Sequence, residues 1–144
     1  MDRESLLQEA RAAALHAYAP YSKFRVGAAV VVQTDDGPRV VTGANVENAS
    51  YGLTQCAERT ALCAACLLVG QNPDSDTFAK PRVTHVAVSC INAEPDAGPE
   101  QRSPCGACRQ WLAELAPDAV YYVDGIDKDL RLDDLLPYAF RSPD

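Results

Sequence analysis

Positive charge is scarce in this chain of 144 residues. Thirteen Lys and Arg stand against twenty Asp and Glu, which gives a formal net charge of −7. Proteins that bind nucleic acids hold the phosphate backbone with Lys and Arg, and an acidic surface repels it. We therefore expect no nucleic-acid partner.

Long hydrophobic runs are also missing. No stretch reaches the roughly 18 uncharged apolar residues that a membrane helix needs, and the first ten residues mix acids and bases without the apolar segment of a signal peptide. We expect a cytoplasmic protein with no membrane partner. In that reducing compartment, six cysteines indicate metal binding or catalysis rather than disulfides.

Histidine occurs only twice, as His16 and His85. The local patterns place the first in a helix and the second in a strand, where both are expected to be structural. A nucleophilic cysteine normally needs a neighbouring base, and histidine is the usual one. The scarcity of histidine therefore disfavours nucleophilic cysteine catalysis.

Hydrophobic patterning predicts one α/β domain over residues 1–144, with a layered sheet that is partly parallel. Helices are predicted at 5–19, 55–69 and 103–115, strands at 26–32, 39–46, 83–90 and 119–123, and a short strand and helix within 127–136. The helix at 55–69 is apolar almost all round, which predicts a core position. Its Cys63 and Cys66 are therefore expected in the core.

Two cysteine motifs have the spacing of metal ligands. Cys105 and Cys108 are three residues apart, and Cys56 is followed two residues later by Glu58. Three protein ligands and one open position characterise a catalytic zinc. Zinc deaminases combine a His-or-Cys, x, Glu element with Pro-Cys-x-x-Cys, in which the glutamate transfers protons. The sequence predicts one zinc ion per chain on the three cysteines, with Glu58 as the catalytic acid and base.

Helix starts are predicted to favour the metal-binding form of two of these cysteines. Thr54 and Ser103 are candidate N-caps, and each would place a cysteine, Cys56 or Cys105, in a first helical turn. Free backbone N–H groups and the helix dipole stabilise a thiolate there. A closed structural zinc site would need a fourth ligand, such as Cys90, and no second cysteine motif outside the core helix provides one.

Two arginines follow the key residues directly, Arg59 after Glu58 and Arg109 after Cys108. Zinc with three thiolates has a net charge of −1, which favours a nearby cation. Both arginines are predicted to compensate this charge. A surface or interface ion pair is the alternative for each.

Five ordered blocks of the sequence resemble the cytidine deaminase family, in its short, three-cysteine, homotetrameric form. The blocks are residues 20–29, 43–52, 56–60, 103–110 and 135–140. The resemblance implies a three-layer α/β fold, with a five-stranded mixed sheet and helices on both faces. It also implies a homotetramer that hydrolyses cytidine and deoxycytidine to the uridine nucleosides and ammonia, in pyrimidine salvage.

The resemblance further assigns substrate contacts to named positions. Phe24 stacks on the base, the Ala57 N–H contacts the pyrimidine carbonyl, and Asn45 and Glu47 bind the ribose hydroxyls. The last pair also fits the local pattern, because residues two apart on an extended segment point to the same face.

Two aromatic residues are implied to act across subunit boundaries. Tyr51 helps to build the site from a neighbouring chain, and Phe140 closes a neighbour's base pocket. The apolar character of residues 135–140 agrees with a need for cover by another surface.

Some positions depart from the family pattern. Arg102 stands where an apolar residue is frequent, residues 71–82 and 91–102 look extended, and Arg141 replaces a glycine. One alternative is therefore a deaminase of a modified cytosine nucleoside, of the blasticidin S type, with Arg102 as a specificity element. Another is a non-catalytic, zinc-stabilised binding protein, against which Glu58 is the main argument.

Overall fold

The computed structural model describes residues 1–143. Its helices are α1 (Arg3–Ala14), α2 (Ala57–Val69), α3 (Gly106–Leu115) and α4 (Leu132–Leu135), and its strands are β1 (Val26–Thr34), β2 (Gly37–Ala44), β3 (Arg82–Cys90) and β4 (Val120–Val123). The strand order is β2-β1-β3-β4. β1 is antiparallel to β2 and β3, whereas β4 is parallel to β3. Within residues 1–143, no helix is both long enough and apolar enough to cross a lipid bilayer.

Helices cover both faces of the sheet, as predicted. Leu6 of α1 packs in one apolar cluster with Ala29 and Val31, while Ala28 and Val30 belong to a second cluster with residues of α2 and α3. Successive residues of a strand point to opposite faces. β1 is therefore buried on both sides, which explains its nearly continuous apolar run.

The prediction of a five-stranded sheet was wrong, because the described residues form four strands. The segment expected as a last strand makes one isolated antiparallel bridge between Leu130 and Tyr121. The three residues before Leu130 are Asp, Lys and Asp. Since only one apolar side chain can be placed against the sheet, the pairing does not extend.

Helix α1 ends earlier than predicted, at Ala14 rather than 19. The backbone N–H of Tyr18 donates to Asn45 O at 3.0 Å, and the N–H of Glu47 donates to Tyr18 O at 2.9 Å. This parallel bridge fixes the chain beside the segment that follows β2. Pairing with that segment requires an extended backbone, so the helix cannot continue to Pro20.

Two helices begin later than predicted, and their N-caps are the cysteines themselves. Gln55 pairs with Val46 in an antiparallel bridge, so the backbone remains extended up to Cys56, the N-cap of α2. The Ser103 hydroxyl donates to Pro99 O at 2.7 Å instead of capping, and Cys105 is the N-cap of α3.

Helix α2 lies on the sheet as an outer layer, and the prediction of a helix buried all round was wrong. Its inner face approaches β2 closely at Gly43, where an added Cβ would lie 2.4 Å from Ala61 N. Its outer face leaves Leu67 83% exposed, with Cys63 exposed and Cys66 half-buried. Only one side of the helix reaches the sheet, so these two cysteines are not core residues.

Candidate metal centre

Three cysteine thiols meet where the N-termini of α2 and α3 converge. The Sγ atoms of Cys56, Cys105 and Cys108 all lie within 4.8 Å of one another. Cys56 and Cys105 are the N-caps of the two helices, and Cys108 is buried in the first turn of α3. The backbone N–H of Cys108 donates to Cys105 Sγ at 3.5 Å. Two helix N-termini thus favour thiolates at one point.

The donor set and its spacing fit zinc. The Sγ atoms of Cys56 and Cys105 are 3.8 Å apart. Two thiolates at tetrahedral positions around zinc, each about 2.3 Å from it, would be about 3.8 Å apart. No fourth Cys, His, Asp or Glu among residues 1–143 joins the group. Three protein ligands leave a position for water or substrate, as in a catalytic zinc site.

The surroundings of Cys56 favour its thiolate form. Its hydrogen bond with Cys108, together with the Arg59 guanidinium, lowers the pKa of Cys56 to about 5 despite its burial. Arg59 Nη2 lies 3.2 Å from Cys56 Sγ. The same hydrogen bond raises the pKa of Cys108. The hydrogen bond between the two thiols therefore favours the thiolate at Cys56 and the protonated form at Cys108.

Glu58 lies in the first turn of α2, two residues from Cys56, and is only 4% exposed. Burial, and then the charge of the Cys56 thiolate, raises the pKa of Glu58 to about 7. A carboxyl group with a pKa near the working pH can both accept and donate protons efficiently. Glu58 lines the same cavity as Cys56 and Cys105, so it can exchange protons with a molecule bound there.

The two arginines singled out by the sequence have different surroundings. Arg59 contacts a thiolate, as described above, and its buried Nε has no hydrogen-bond partner among the described residues. Arg109 instead donates to the carbonyl oxygens of Pro104 at 2.7 Å and Leu135 at 2.5 Å, and to Ser103 Oγ at 3.2 Å. Contact geometry thus supports charge compensation by Arg59, whereas Arg109 joins α3 to the segments around it.

A cavity of about 190 Å³ opens beside the metal centre. Its walls include Phe24, Asn45, Ala57 and Glu58, all of which the sequence singled out, together with Arg102. Ala57 is the first residue of α2. The backbone N–H groups of a first helical turn have no intrahelical acceptor, so they are available to a bound molecule.

The Asn45 side chain is only 8% exposed and is hydrogen-bonded to the backbone at the start of β1. Its Oδ1 accepts from Val26 N at 2.8 Å, and its Nδ2 donates to Phe24 O at 2.8 Å. A side-chain amide has two donors and two acceptor positions. One of each therefore remains for a ligand in the cavity.

Glu47 lies in a neighbouring cavity of about 340 Å³, which shares Thr54 with the first. Its Oε1 accepts from Tyr21 N at 3.0 Å and Ser22 N at 3.1 Å, and its Oε2 accepts from Ser22 Oγ. The hydrogen bonds from Ser22 keep the pKa of Glu47 below its ordinary value. An ionised acceptor therefore stands next to the cavity at the metal centre.

Comparison with known proteins identifies the family. Residues 1–124 match the family model described as the cytidine and deoxycytidylate deaminase zinc-binding region. The chain belongs to this family.

Relatives and solved structures of the deaminase family match almost the whole chain. Cytidine deaminase of Halalkalibacterium halodurans is 43% identical over 148 residues, covering 100% of this chain and 98% of the relative. The crystal structure of cytidine deaminase from Burkholderia pseudomallei has a TM-score of 0.74 at 43% identity, covering 97% of this chain and 100% of that one. That from Mycobacterium tuberculosis has a TM-score of 0.74 at 39% identity, covering 99% of each chain.

Two aromatic residues predicted to act between deaminase subunits are largely exposed. Tyr51 is 76% exposed and touches Tyr21 edge-on, with ring centroids 6.2 Å apart. Phe140 is 74% exposed and lines neither of the two cavities, while its carbonyl accepts from Gln110 Nε2 at 3.0 Å. The predicted contact of Phe140 is with the base pocket of a neighbouring subunit. The structure of one chain does not test it, so it stays a prediction.

Two residues that shape this site, Ser22 and Cys90, were not predicted from the sequence. Ser22 binds the carboxylate of Glu47, and Cys90 lines the cavity at the metal centre. The only indication in the sequence that Ser22 belongs to the site is its place in the block 20–29, one of the five that carry the family resemblance. The sequence offers Cys90 only as a possible fourth zinc ligand, because nothing in its local pattern indicates that the end of β3 faces the cavity.

Proposed function

We propose that this chain catalyses the hydrolytic deamination of cytidine and deoxycytidine. The observation that supports it most strongly is the position of Glu58, a carboxyl group that is only 4% exposed and lies two residues from Cys56. It adjoins a three-cysteine centre that has an open position, on the wall of a cavity. Relatives named cytidine deaminase support the same reaction.

In the proposed reaction, the C4–NH2 bond of the pyrimidine breaks, a C4–O bond forms, and water supplies the oxygen. Bound zinc supplies Lewis acidity, which makes water nucleophilic near neutral pH. Glu58 takes a proton from the attacking water and delivers it to ring N3. Glu58 then takes the proton of the new C4–OH group and transfers it to the amine, which leaves as ammonia as the C4=O bond forms. The products are the uridine nucleoside and ammonia, so atoms and charge balance.

The remaining cavity residues are proposed to orient the nucleoside. The Ala57 N–H donates to the pyrimidine carbonyl, Phe24 packs on the base, and Asn45 and Glu47 receive the ribose hydroxyls. The hydrogen bonds of Asn45 to the backbone around β1 support this arrangement, because they fix the amide before substrate enters. Such preorganisation lowers the entropy lost on binding.

A zinc-stabilised binding protein without catalysis is disfavoured by the same site. A structural zinc is normally closed by four protein ligands, and only three meet within the described residues. Burying a carboxyl group such as Glu58 on the wall of the cavity costs folding free energy, and a binding protein without catalysis does not need it there. Both observations favour an enzyme.

A substrate panel tests the proposed function. Zinc-loaded protein should release ammonia from cytidine and deoxycytidine, and should act at least about tenfold less well on the corresponding monophosphates. The physical reason is charge, because the ionised Glu47 and the net charge of −7 repel a phosphate. No ammonia from either nucleoside, or a preference for the monophosphates, would contradict the proposal. Modified cytosine nucleosides in the panel test the blasticidin S-type alternative.

We also propose a homotetramer in the cytoplasm that acts in pyrimidine salvage. Exposed apolar side chains support assembly, among them Phe140 and Leu67. The three thiols must stay reduced to bind zinc, which supports a reducing compartment.

Assembly and Phe140 can be tested together. Light scattering should give four chains per particle, and Phe140→Ala should raise KM for cytidine while zinc stays bound, because the metal ligands lie elsewhere. Tyr138→Ala, which changes a neighbouring exposed aromatic residue, is the control and should change KM less. A native monomer whose KM is insensitive to Phe140→Ala would refute the proposed assembly.

A further inference from the structure

The segment between β3 and α3, residues 91–104, leads directly to the metal ligand Cys105; we call it the ligand loop. We propose that Arg102 is a positioning residue, whose guanidinium fixes the ligand loop to the end of β4 and thereby holds Cys105 and one wall of the cavity in place.

The guanidinium of Arg102 donates to three carbonyl oxygens. Its Nη2 lies 2.8 Å from Glu94 O and its Nε lies 3.0 Å from Ala97 O, both within the ligand loop. Its Nη1 lies 3.3 Å from Asp124 O, just after β4. Arginine presents several donors in one rigid plane, whereas the lysine ammonium is a point charge on a flexible stem. The arrangement therefore requires arginine.

The middle of the ligand loop has few other attachments. At its start, Asn92 Oδ1 accepts from Arg25 N at 2.9 Å. Ala93 N donates to Cys90 O of β3 at 3.1 Å. From residue 94 to 101, the hydrogen bonds found within the described chain join residues of the ligand loop itself, such as Ala97 N to Glu94 O at 2.9 Å. Arg102 thus provides the hydrogen-bonded link from residues 94–101 to the end of β4.

The anchor at the end of β4 is itself firmly held. Asp124 N donates to Val88 O at 2.9 Å. The Asp124 carboxylate accepts from Arg11 Nε at 2.7 Å and Nη2 at 2.8 Å, and from Ser89 Oγ at 2.7 Å. These contacts join β4 to α1 and β3. The backbone carbonyl that receives Arg102 therefore belongs to a well-connected part of the sheet.

Only two residues separate Arg102 from the metal ligand Cys105, so a movement of Arg102 can reach the metal centre along the backbone. Arg102, Ser103 and Cys105 all line the 190 Å³ cavity, and the buried Pro104 lies between them. Proline fixes its own φ angle and limits the residue before it. A displacement of Arg102 is therefore expected to move Cys105.

This assignment differs from the prediction that Arg102 is a specificity element. Three of its donors already bind protein carbonyls, so the guanidinium has a structural role before any substrate enters. The assignment goes beyond the proposed function, since it concerns how the ligand loop is held whatever the substrate.

Hydrogen–deuterium exchange of peptides covering the ligand loop tests the proposal in zinc-loaded and metal-free protein. Arg102→Met keeps a long apolar side chain and removes every donor, so exchange in residues 91–104 should be about tenfold faster, as expected for loss of a charge-assisted hydrogen bond. Zinc release to a chelator should accelerate together with it. Peptides from α1 and β1 should exchange at the wild-type rate.

Two further variants make the test specific. Arg131→Met is the control, because Arg131 Nη1 donates to a single carbonyl, Asp118 O at 3.1 Å, away from the loop. It should leave loop exchange and zinc release unchanged. Arg102→Lys keeps the charge but not the planar set of donors, so amide exchange in its ligand loop should be as fast as in Arg102→Met. Arg102→Lys also serves if Arg102→Met fails to fold.

Either of two results would overturn the proposal. One is wild-type loop exchange and zinc release in Arg102→Met, or full rescue by Arg102→Lys. The other is a changed ranking of nucleosides against monophosphates with unchanged loop exchange, which would make Arg102 a substrate contact. Exchange and zinc release need no substrate, so they stay informative if the proposed deamination itself is refuted.

Discussion

Replacing Glu58 with glutamine is expected to leave zinc bound and the fold intact, and to lower kcat for cytidine by about two to four orders of magnitude. Glutamine has nearly the same size, so the packing around this buried side chain should be kept. An amide cannot accept a proton from water or deliver it to the pyrimidine. The loss should therefore appear in kcat, measured by ammonia release at saturating cytidine.

A matched substitution separates the role of Glu58 from a general effect of lost charge. Glu114→Gln removes an exposed carboxylate paired with Lys80 at 3.1 Å, away from the metal centre. Exposed ion pairs contribute little to stability, so this variant should keep wild-type kcat. A Glu58→Gln variant that retains a tenth of wild-type kcat with zinc bound would exclude Glu58 as the acid and base.

Replacing Cys105 with alanine is expected to abolish stoichiometric zinc binding and to lower the melting temperature. Two ligands remain in the variant, and zinc sites are normally built from at least three protein ligands. Metal binding free energy adds to folding free energy, so losing the metal also destabilises the fold. Elemental analysis and thermal unfolding, with and without a chelator, measure the two effects on the same sample.

Cys63→Ala is the control for the loss of a thiol. Cys63 is exposed on α2 and lies outside the cluster of three sulfur atoms. This variant should bind one zinc per chain and respond to the chelator as the wild-type protein does. Full zinc occupancy in Cys105→Ala would show that Cys105 is not a ligand.

The sequence predicted the three-cysteine cluster correctly because its determinants are local. Cys105 and Cys108 are one helical turn apart, and their motif leads into an amphipathic helix. Cys56 and Glu58 are likewise fixed to one helix start. Only the meeting of the two helix starts depends on tertiary structure, and the similarity to deaminases supplied that information.

The helix boundaries were predicted less well, because long-range pairing decides them. Thr54 looks like an N-cap in its own sequence context, but the bridge between Gln55 and Val46 keeps the chain extended up to Cys56. The outer face of α2 was misassigned for a related reason. An apolar face can belong to a core or to a surface, and composition does not distinguish them.

The role of Arg102 was not predictable from spacing. Its hydrogen-bond partners are backbone carbonyls at positions 94, 97 and 124, and any residue type provides a carbonyl. The sequence shows only a charged residue before Ser103. Three-dimensional structure is needed to place its guanidinium between the ligand loop and the end of β4.

The most direct test of zinc-dependent deamination is a zinc titration of the metal-free protein in which ammonia release from cytidine is measured at each step. The rate should rise in proportion to added zinc and stop rising at one zinc per chain, because Cys56, Cys105 and Cys108 form a single centre. A rate that does not depend on zinc, or the absence of ammonia at full zinc occupancy, would contradict the proposed function.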